Sequence, residues 1–247
     1  MDDVRLLQVL ADAVHAVRNA LDGLDDWGPA GTRPGQYRLD LAADAAALPI
    51  LHGAGLAVLS EESGVTGELS AALLAVIDPV DGSTNASRGI PWFATSLCAV
   101  DADGPRAAVV VNQASGVRFE AVRGGGARKD GVAIGPSGCE QMDRAIVAFS
   151  GYPTRHYSWQ QYRCLGAAAL DLCAVADGTL DGYAAVGGSQ LGSWDYLGGM
   201  LVCTEAGAVL ADSLERDLVT LSHTERRTPF AAATPALLQE FLEVVAQ

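Results

Sequence analysis

The sequence predicts an α/β protein with an α+β N-terminal half over residues 1–138 and an α/β C-terminal half over residues 139–247. One observation is a helical apolar pattern followed, from residue 56, by short apolar runs of strand length. Another is the alternation of strand-like and helix-like segments after about residue 140. With 49% hydrophobic and only 19% charged residues, we expect a packed core rather than a disordered chain.

Two helices are predicted ahead of the strands. Apolar residues recur at three- and four-residue spacing, at Val4, Leu7, Leu10, Val14, Val17 and Leu21. This spacing predicts an amphipathic helix from about Asp3 to Leu21. The Gly/Pro-rich residues 28–36 then break regular structure. A second, alanine-rich helix is expected to begin near Asp40, and Pro49 should end or kink it.

Five apolar runs between residues 56 and 122 have the length of strands. They are LAVLS, ALLAVID, FATSLCAVD, RAAVVVN and the alternating VRFEAV. Two of them end directly on acidic residues, Glu61 and Asp78. Functional side chains often lie where strands give way to loops, so these two acids are candidate site residues.

The C-terminal half reads as strand, helix, strand, helix, strand, strand and helix. The corresponding runs are AIVAFS, GAAALDLCAVADG, DGYAAV, SWDYLGGMLVCTEAG, AVLAD, TPFAAA and TPALLQEFLEVVAQ. No internal repeat or low-complexity tract interrupts this order, which is typical of a single α/β layer arrangement.

Charge and composition limit the classes of partner. The net charge of −14 argues against nucleic acid and anionic membranes as partners, and an anionic substrate would need a local cation such as a metal ion. The five widely spaced cysteines predict reduced thiols rather than a zinc site. No run approaches the roughly 20 apolar residues of a membrane span. The first residues lack a signal-peptide pattern, so we expect a cytoplasmic location.

The stretch IDPVDGSTN, residues 77–85, places two aspartates three apart around a proline. Pro79 biases Asp78 toward an extended conformation, and Gly82 permits a tight turn. The two carboxylates and the Val80 carbonyl can then point to one side, which suits Mg²⁺ or Ca²⁺. A solvated turn is equally compatible with this stretch taken alone, because Asp-Pro and Asp-Gly are ordinary turn dipeptides.

The spacing of the acidic residues can be compared with two better-defined kinds of site. An EF-hand loop beginning at Asp78 would need a glutamate at its twelfth position, where Gly89 stands. Phosphatases that form an aspartyl-phosphate commonly carry two aspartates two apart, whereas these are three apart. The first alternative fails, and a covalent carboxylate intermediate is disfavoured.

Three stretches in one order carry a family resemblance: EES at residues 61–63, DPVDGSTN at 78–85 and WDYLGGMLVCTEAGAVLAD at 194–212. They resemble the signatures of the inositol monophosphatase family of Mg²⁺-dependent, Li⁺-sensitive phosphatases. The resemblance extends from about Asp40 to the C-terminus. It implies a layered αβαβα sandwich, a homodimer, and hydrolysis of a small phosphate monoester by a metal-activated water with no covalent intermediate.

The resemblance also implies a site with two or three Mg²⁺ ions. Its metal ligands would be Glu61, Asp78, the Val80 carbonyl, Asp81 and Asp195. Asp78 would bridge two ions, and Asp40 would lie near a weaker third position. The residues with catalytic roles would be Glu61, Ser83 and Asp40. The contacts to phosphate and substrate would come from Gly82, Ser83, Thr84, Gly166 and Ala167.

The chain departs from the family pattern near the expected substrate. Ser83 replaces the usual threonine and keeps its hydroxyl, and Ser60 stands where glycine is usual. The segment Ala184–Ser193 replaces a shorter one that contains a substrate-binding glutamate, and Ala185 or Gly188 stands in its place. These departures put inositol itself in doubt as the substrate.

Three neighbours of the expected site have open or structural roles. Arg163 and Asp171 flank the helix that borders the substrate pocket in the family, and a pocket position and a solvated surface position are both open for them. Trp194 is expected to be a packing residue that sets the position of Asp195.

We therefore predict a phosphatase for an inositol, sugar or other polyol phosphate. Histidinol phosphate is the nearest alternative substrate, followed by nucleotide 3′-phosphates and fructose bisphosphate. A hypothesis from a different class is a non-catalytic metal-binding relative. The partner is in every case a small phosphorylated metabolite or a metal ion, and neither a nucleic acid nor a membrane.

Overall fold

The computed structural model describes residues 1–31, 35–68 and 70–246. The described residues form six α-helices: α1 Asp3–Asp22, α2 Arg38–Gly53, α3 Ser83–Arg88, α4 Ala168–Ala176, α5 Ser193–Ala206 and α6 Pro235–Ala246. Of the predicted irregular stretch 28–36, residues 32–34 lie outside the described residues.

Thirteen strands make up two sheets in the described part of the chain. The strands are β1 Ala57–Ser60, β2 Gly64–Thr66, β3 Leu74–Asp81, β4 Ala94–Asp101, β5 Gly104–Asn112, β6 Arg118–Val122, β7 Gly126–Lys129, β8 Val132–Ala133, β9 Ile146–Ser150, β10 Gln161–Arg163, β11 Gly182–Ala185, β12 Val209–Asp212 and β13 Pro229–Ala232. The first sheet has the order β2-β1-β3-β4-β5-β6-β7-β8 and the second β10-β9-β11-β13-β12. In the first sheet only β1 and β3 are parallel.

The two sheets and the helices stack as five layers. Helices α1 and α2 cover one face of the first sheet, α4 and α5 fill the space between the sheets, and α6 covers the second sheet. The central layer carries a largely apolar cluster that joins both sheets. The predicted αβαβα sandwich is confirmed, because each sheet buries both of its faces against helices.

Helix α2 runs past its proline. It continues to Gly53, so Pro49 does not end it. Pro49 removes the N–H that would bond to the Ala45 carbonyl, and both residues lie on the exposed face of the helix. Water can satisfy that carbonyl there, which is why the proline is tolerated.

The proposed boundary between residues 138 and 139 falls in the connection between the two sheets, and the division into two halves stays a prediction. Helix α5, from the C-terminal part, packs directly on β3, β4 and β5 of the first sheet. None of the helices in the described ranges combines the length and the apolar character needed to cross a membrane. The packing of α5 brings its first turn to the end of β3, where the candidate site lies.

Candidate metal centre

Three acids from distant parts of the chain converge at the end of β3. Glu61, Asp78 and Asp195 each offer a carboxylate oxygen, and these oxygens lie within 4.8 Å of one another. The parallel pairing of β1 and β3 explains the first two, because Ser60 pairs with Ile77 and the next residue on each strand is an acid. Asp195 comes from the first turn of α5. The structure therefore brings together acids that are up to 134 residues apart in the sequence.

A β-bulge lets Asp78 and Asp81 serve the same cluster. In a regular strand, residues three apart point to opposite faces of the sheet. Here the pairing with β4 shifts by one residue between Asp78 and Asp81, and the Thr95 hydroxyl donates to the Pro79 carbonyl at 2.8 Å. The extra residue re-aims the end of β3. Both aspartates are consequently buried beside the other acids.

Asp81 and Asp195 are oriented by backbone N–H groups. Asp81 Oδ2 accepts from the Ala169 N–H at 2.7 Å, and Asp195 Oδ2 accepts from the Gly192 N–H at 2.7 Å. Burial raises the pKa of Asp81 to about 8, although the Ala169 hydrogen bond opposes the shift. Burial, with the charge of Asp81, raises the pKa of Asp195 to about 7. Both carboxyls therefore carry an electrostatic cost when ionised.

Asp78 has the least favourable surroundings for a negative charge among these acids. It is 1% exposed, and its Oδ1 has no hydrogen-bond partner in the part of the chain that the structure describes. Burial raises its pKa well above the usual range, and the charges of Glu61, Asp81, Asp195 and Asp40 add to the shift. A buried carboxylate needs a compensating charge, and hard carboxylate oxygens are what Mg²⁺ prefers. The donor set therefore fits a divalent cation.

A cavity of about 280 Å³, here called the Glu61 cavity, opens beside these acids. Its lining includes Asp40, Glu61, Ser83, Trp194 and Arg226. Asp40 lies in the first turn of α2, where its Oδ2 accepts from the Tyr37 N–H at 2.8 Å. The predicted catalytic residues Asp40, Glu61 and Ser83 thus share one cavity.

The turn after Asp81 leaves little room for a side chain at Gly82. Gly82 has φ of +84°, and a Cβ there would lie 3.0 Å from the carbonyl oxygens of Gly166 and Trp92. Asn85 holds two connecting segments against this turn, because its Nδ2 donates to the Trp92 carbonyl at 2.8 Å and to the Leu165 carbonyl at 2.7 Å. Sequence reasoning missed this role of Asn85, although it is the amide that ends the IDPVDGSTN stretch.

The other residues predicted to contact phosphate or substrate, Thr84, Gly166 and Ala167, lie in three different environments. Thr84 is exposed, and its hydroxyl lies 3.1 Å from the Tyr37 hydroxyl. Gly166 lines a second cavity, whereas Ala167 is 1% exposed and lies behind Gly82. Ala168 lines that cavity instead. The contacts assigned to Thr84 and Ala167 stay predictions.

This second cavity, the Ser150 cavity, has a volume of about 310 Å³. It is lined by Asp81, Phe149, Ser150, Gly151, Cys164, Gly166, Ala168, Ser189, Leu191 and Asp195. No lysine, arginine or histidine is among these described lining residues, and its only acids belong to the cluster. The unusual segment Ala184–Ser193 supplies Ser189 and Leu191, so it forms part of the wall.

The two residues that flank α4 have different surroundings. Arg163 is exposed at the end of β10. Asp171 is 0% exposed, and its Oδ1 accepts from the Trp92 indole N–H at 2.9 Å. The solvated position considered for Asp171 is therefore wrong. Asp171 thus fixes Trp92, whose backbone carbonyl oxygen packs against Gly82.

Replacing Asp171 by asparagine is expected to change how stability depends on pH. Burial raises the pKa of Asp171 from 3.8 to about 7, opposed by the Trp92 hydrogen bond. The contribution of this carboxyl to stability is therefore full below about pH 4 and is lost as the pH rises toward about 7. The asparagine of Asp171→Asn does not titrate. The free energy of unfolding of this variant, relative to that of the wild type, should therefore increase by on the order of 4 kcal/mol between pH 4 and pH 8.

Denaturant unfolding of both proteins in EDTA at these two pH values measures this difference. The other buried acids are present in both proteins, so most of their contribution cancels. The charge of Asp171 also raises the pKa of Asp81 in the wild type, which adds to the difference in the same direction. A stability difference that is the same at both pH values would contradict the buried, protonated state of Asp171.

Comparisons with known proteins agree with this geometry. The model of the inositol monophosphatase family matches residues 52–246. The chain is 29% identical to the fructose-1,6-bisphosphatase/inositol-1-monophosphatase of Archaeoglobus fulgidus, over 99% of this chain and 100% of that protein. It is 30% identical to Nus factor SuhB of Pasteurella multocida, over 76% of this chain and 73% of that protein.

A similar solved structure is an extragenic suppressor from Pyrococcus furiosus, with a TM-score of 0.84 and 27% identity. The match covers 97% of this chain and 100% of that one. The overall fold of this chain is thus shared with other proteins.

Proposed function

The chain belongs to the inositol monophosphatase family and is on that basis a phosphoric monoester hydrolase, and we propose that it hydrolyses an inositol, sugar or other polyol phosphate in a Mg²⁺-dependent reaction. The observation that carries this proposal is the buried Oδ1 of Asp78, which has no hydrogen-bond partner within residues 1–31, 35–68 and 70–246, in a cluster that includes Glu61 and Asp195. Such a group is costly to the fold unless a cation binds it.

The metal ligands proposed from the resemblance lie at the ends of two strands and in the first turn of a helix. Glu61, Asp78 and the Val80 carbonyl would hold one ion, and Asp78, Asp81 and Asp195 a second, with Asp40 near a third. Bound divalent ions supply charge neutralisation for the phosphate and a water of lowered pKa.

The protein's own groups would position the reactants. The hydroxyl of Ser83, in the Glu61 cavity, would orient the attacking water together with the carboxylate of Glu61. The N–H groups of Gly82 and Ser83 would donate to the phosphate oxygens, and no side chain blocks their approach at Gly82. Positioning and charge neutralisation are what phosphoryl transfer requires most. No covalent intermediate is needed.

The Ser150 cavity supports an uncharged leaving group. A second phosphate on the substrate would meet no basic side chain among the described lining residues, which disfavours fructose bisphosphate and nucleoside bisphosphates. An amine such as that of histidinol would find only Asp81 and Asp195, which are proposed metal ligands. Ser150 and Ser189 can instead exchange hydrogen bonds with the hydroxyls of a small polyol. Histidinol phosphate stays the alternative substrate.

We also propose that the chain acts as a cytoplasmic homodimer on a small phosphorylated metabolite, without nucleic acid or membrane partners. Its net charge of −14 supports the exclusion of polyanionic partners. The homodimer comes from the family resemblance, and the location from the sequence.

A panel of phosphate esters tests the proposed function. Inositol 1-phosphate, a sugar monophosphate, histidinol phosphate, fructose bisphosphate and adenosine 3′,5′-bisphosphate are each incubated with metal-free protein, with Mg²⁺ and with EDTA, and released phosphate is measured. We expect Mg²⁺-dependent release that is fastest for a polyol or sugar monophosphate. Faster release from a bisphosphate would contradict the proposed leaving group. An absence of turnover on the panel and on a generic aryl phosphate would favour the non-catalytic relative.

A further inference from the structure

The loop between β12 and β13, residues 213–228, reaches across to the metal centre. His223 and Arg226 of this loop lie against the indole ring of Trp194. The His223 and Trp194 ring centroids are 4.8 Å apart at an interplanar angle of 33°, and the Arg226 guanidinium carbon lies 4.9 Å from the Trp194 ring. We call these three side chains the Trp194 stack. All three line the Glu61 cavity.

The stack is attached to a ligand-bearing segment on each side. On one side, His223 Nε2 lies 3.2 Å from the backbone carbonyl oxygen of Glu61. On the other side, Trp194 directly precedes Asp195 in the first turn of α5. The stack therefore joins two acids of the cluster that come from different parts of the fold.

The loop that carries the stack is itself held in place. Arg227 and Leu191 exchange two backbone hydrogen bonds of 2.9 Å, just before α5 begins. Arg226 Nη1 donates to the carbonyls of His223 and Glu225 at 2.8 and 2.9 Å, which fixes its guanidinium plane over the ring. A planar guanidinium held in this way loses little further freedom when it stacks on an aromatic ring.

Without a cation, the acids of the cluster repel one another and would tend to move apart. We propose that the Trp194 stack is a positioning device that holds Glu61 and Asp195 at the separation that one divalent ion requires. The inference rests on the proposed function, because it assigns these residues to the same metal centre. His223, Trp194 and Arg226 act through the acids and are not themselves ligands. Partners of this kind set metal affinity by about 10- to 100-fold when they are removed.

A substitution that keeps the charge separates positioning from simple electrostatics. Arg226 is a cation near a cation site, so its charge repels Mg²⁺ and also favours the ionised form of the proposed ligand Asp195. If charge were its only effect, Arg226→Lys would behave as the wild type. If the stack positions the acids, Arg226→Lys and Arg226→Met both bind the ion about 10- to 100-fold more weakly, because neither side chain can form the planar stack.

Binding of Mn²⁺ to metal-free protein, followed by electron paramagnetic resonance of the free ion, measures this affinity without turnover. Mn²⁺ is a suitable probe because it takes the same oxygen ligands as Mg²⁺. Arg128→Met is the matched control, since Arg128 is an exposed arginine on β7 outside the Glu61 cavity. It should leave Mn²⁺ affinity unchanged. Trp194→Phe keeps a ring and should bind Mn²⁺ more tightly than Trp194→Leu. Thermal unfolding in EDTA shows which variants are folded.

Tighter or unchanged Mn²⁺ binding by either variant of Arg226, or a lowered unfolding temperature with wild-type affinity, would overturn the positioning role. Should Arg226→Met not fold, the comparison of Arg226→Lys with the wild type decides in the same way. A wild type that binds no Mn²⁺ would overturn both the stack and the proposed function. If the wild type hydrolyses no phosphate ester but the variants still bind Mn²⁺ more weakly than the wild type does, the positioning role is supported and only the proposed function is overturned.

Discussion

Replacing Asp78 by asparagine is expected to lower Mg²⁺-dependent turnover by at least about 10²-fold, the scale seen when one preorganised electrostatic group is removed. Asp78 lies between the other acids, and its Oδ1 is buried without a hydrogen-bond partner among the described residues. The asparagine has nearly the same shape but carries no charge for a cation. In EDTA the variant should be at least as stable as the wild type, because burial and four neighbouring acids raise the pKa of Asp78.

The kcat of phosphate release with Mg²⁺ and thermal unfolding in EDTA measure the two effects. Asp101→Asn is the control: Asp101 is half-buried at the end of β4, away from the metal centre, and it accepts from Arg123 Nη2 at 2.7 Å and from the Asp103 N–H at 2.9 Å, and these partners lower its pKa although its partial burial opposes the shift. That variant should lose stability and keep its kcat, which is the opposite pattern. An Asp78→Asn protein with wild-type turnover would refute the assignment of Asp78 as a metal ligand.

Replacing Gly82 by alanine is expected to reduce both stability and turnover. The left-handed backbone at φ of +84° costs an L-residue about 1–2 kcal/mol. The new Cβ would also lie only 3.0 Å from two carbonyl oxygens and 3.1 Å from the Ala167 Cβ, so the turn must shift. A shift of the N–H groups of Gly82 and Ser83 would misplace the phosphate, and misplacement by about 1 Å can cost about 10²-fold in rate.

Gly89→Ala controls for the backbone term alone. Gly89 directly follows helix α3 with φ of +73°, but apart from its chain neighbours no heavy atom of the described residues lies within 4 Å of its added Cβ. This variant should lose about 1 kcal/mol of stability and keep the turnover of the wild type. Chemical denaturation and steady-state kinetics of both variants provide the comparison. Equal losses in the two variants would mean that close packing at Gly82 has no role in activity.

Local patterns in the sequence were sufficient for most of the elements of this fold. The spacing in α1 and the apolar runs of β3 to β6 predicted elements that the structure confirms to within a few residues. The strand ends also pointed to Glu61 and Asp78, because functional side chains often lie where strands give way to loops. Asp195 could be included only through the resemblance of its motif, because nothing near α5 in the sequence indicates where the helix packs.

Several of the site features that were not predicted depend on contacts between distant residues. Asn85 donates to the carbonyl of Leu165, 80 residues away, and His223 contacts the carbonyl of Glu61 across 162 residues. Single-sequence periodicity carries no information on such pairs. The β-bulge was missed for a related reason, because its extra residue is defined by the partner strand and not by β3 itself. That the helix continues past Pro49 was not predicted, because the solvent exposure of its helix face was unknown.

Because of the bulge in β3, the number of residues in the IDPVDGSTN stretch matters independently of which residues they are. Val80 is proposed to contribute only a backbone carbonyl, so a gene that encodes another apolar residue there would preserve the frame of the strand. Loss of that one codon would instead remove the extra residue of the bulge together with the proposed carbonyl ligand, and it would draw Gly82 and the turn after it one residue toward β3. In the inherited variation of such a gene, changes of this codon to other apolar residues are therefore expected to be tolerated where its deletion is not.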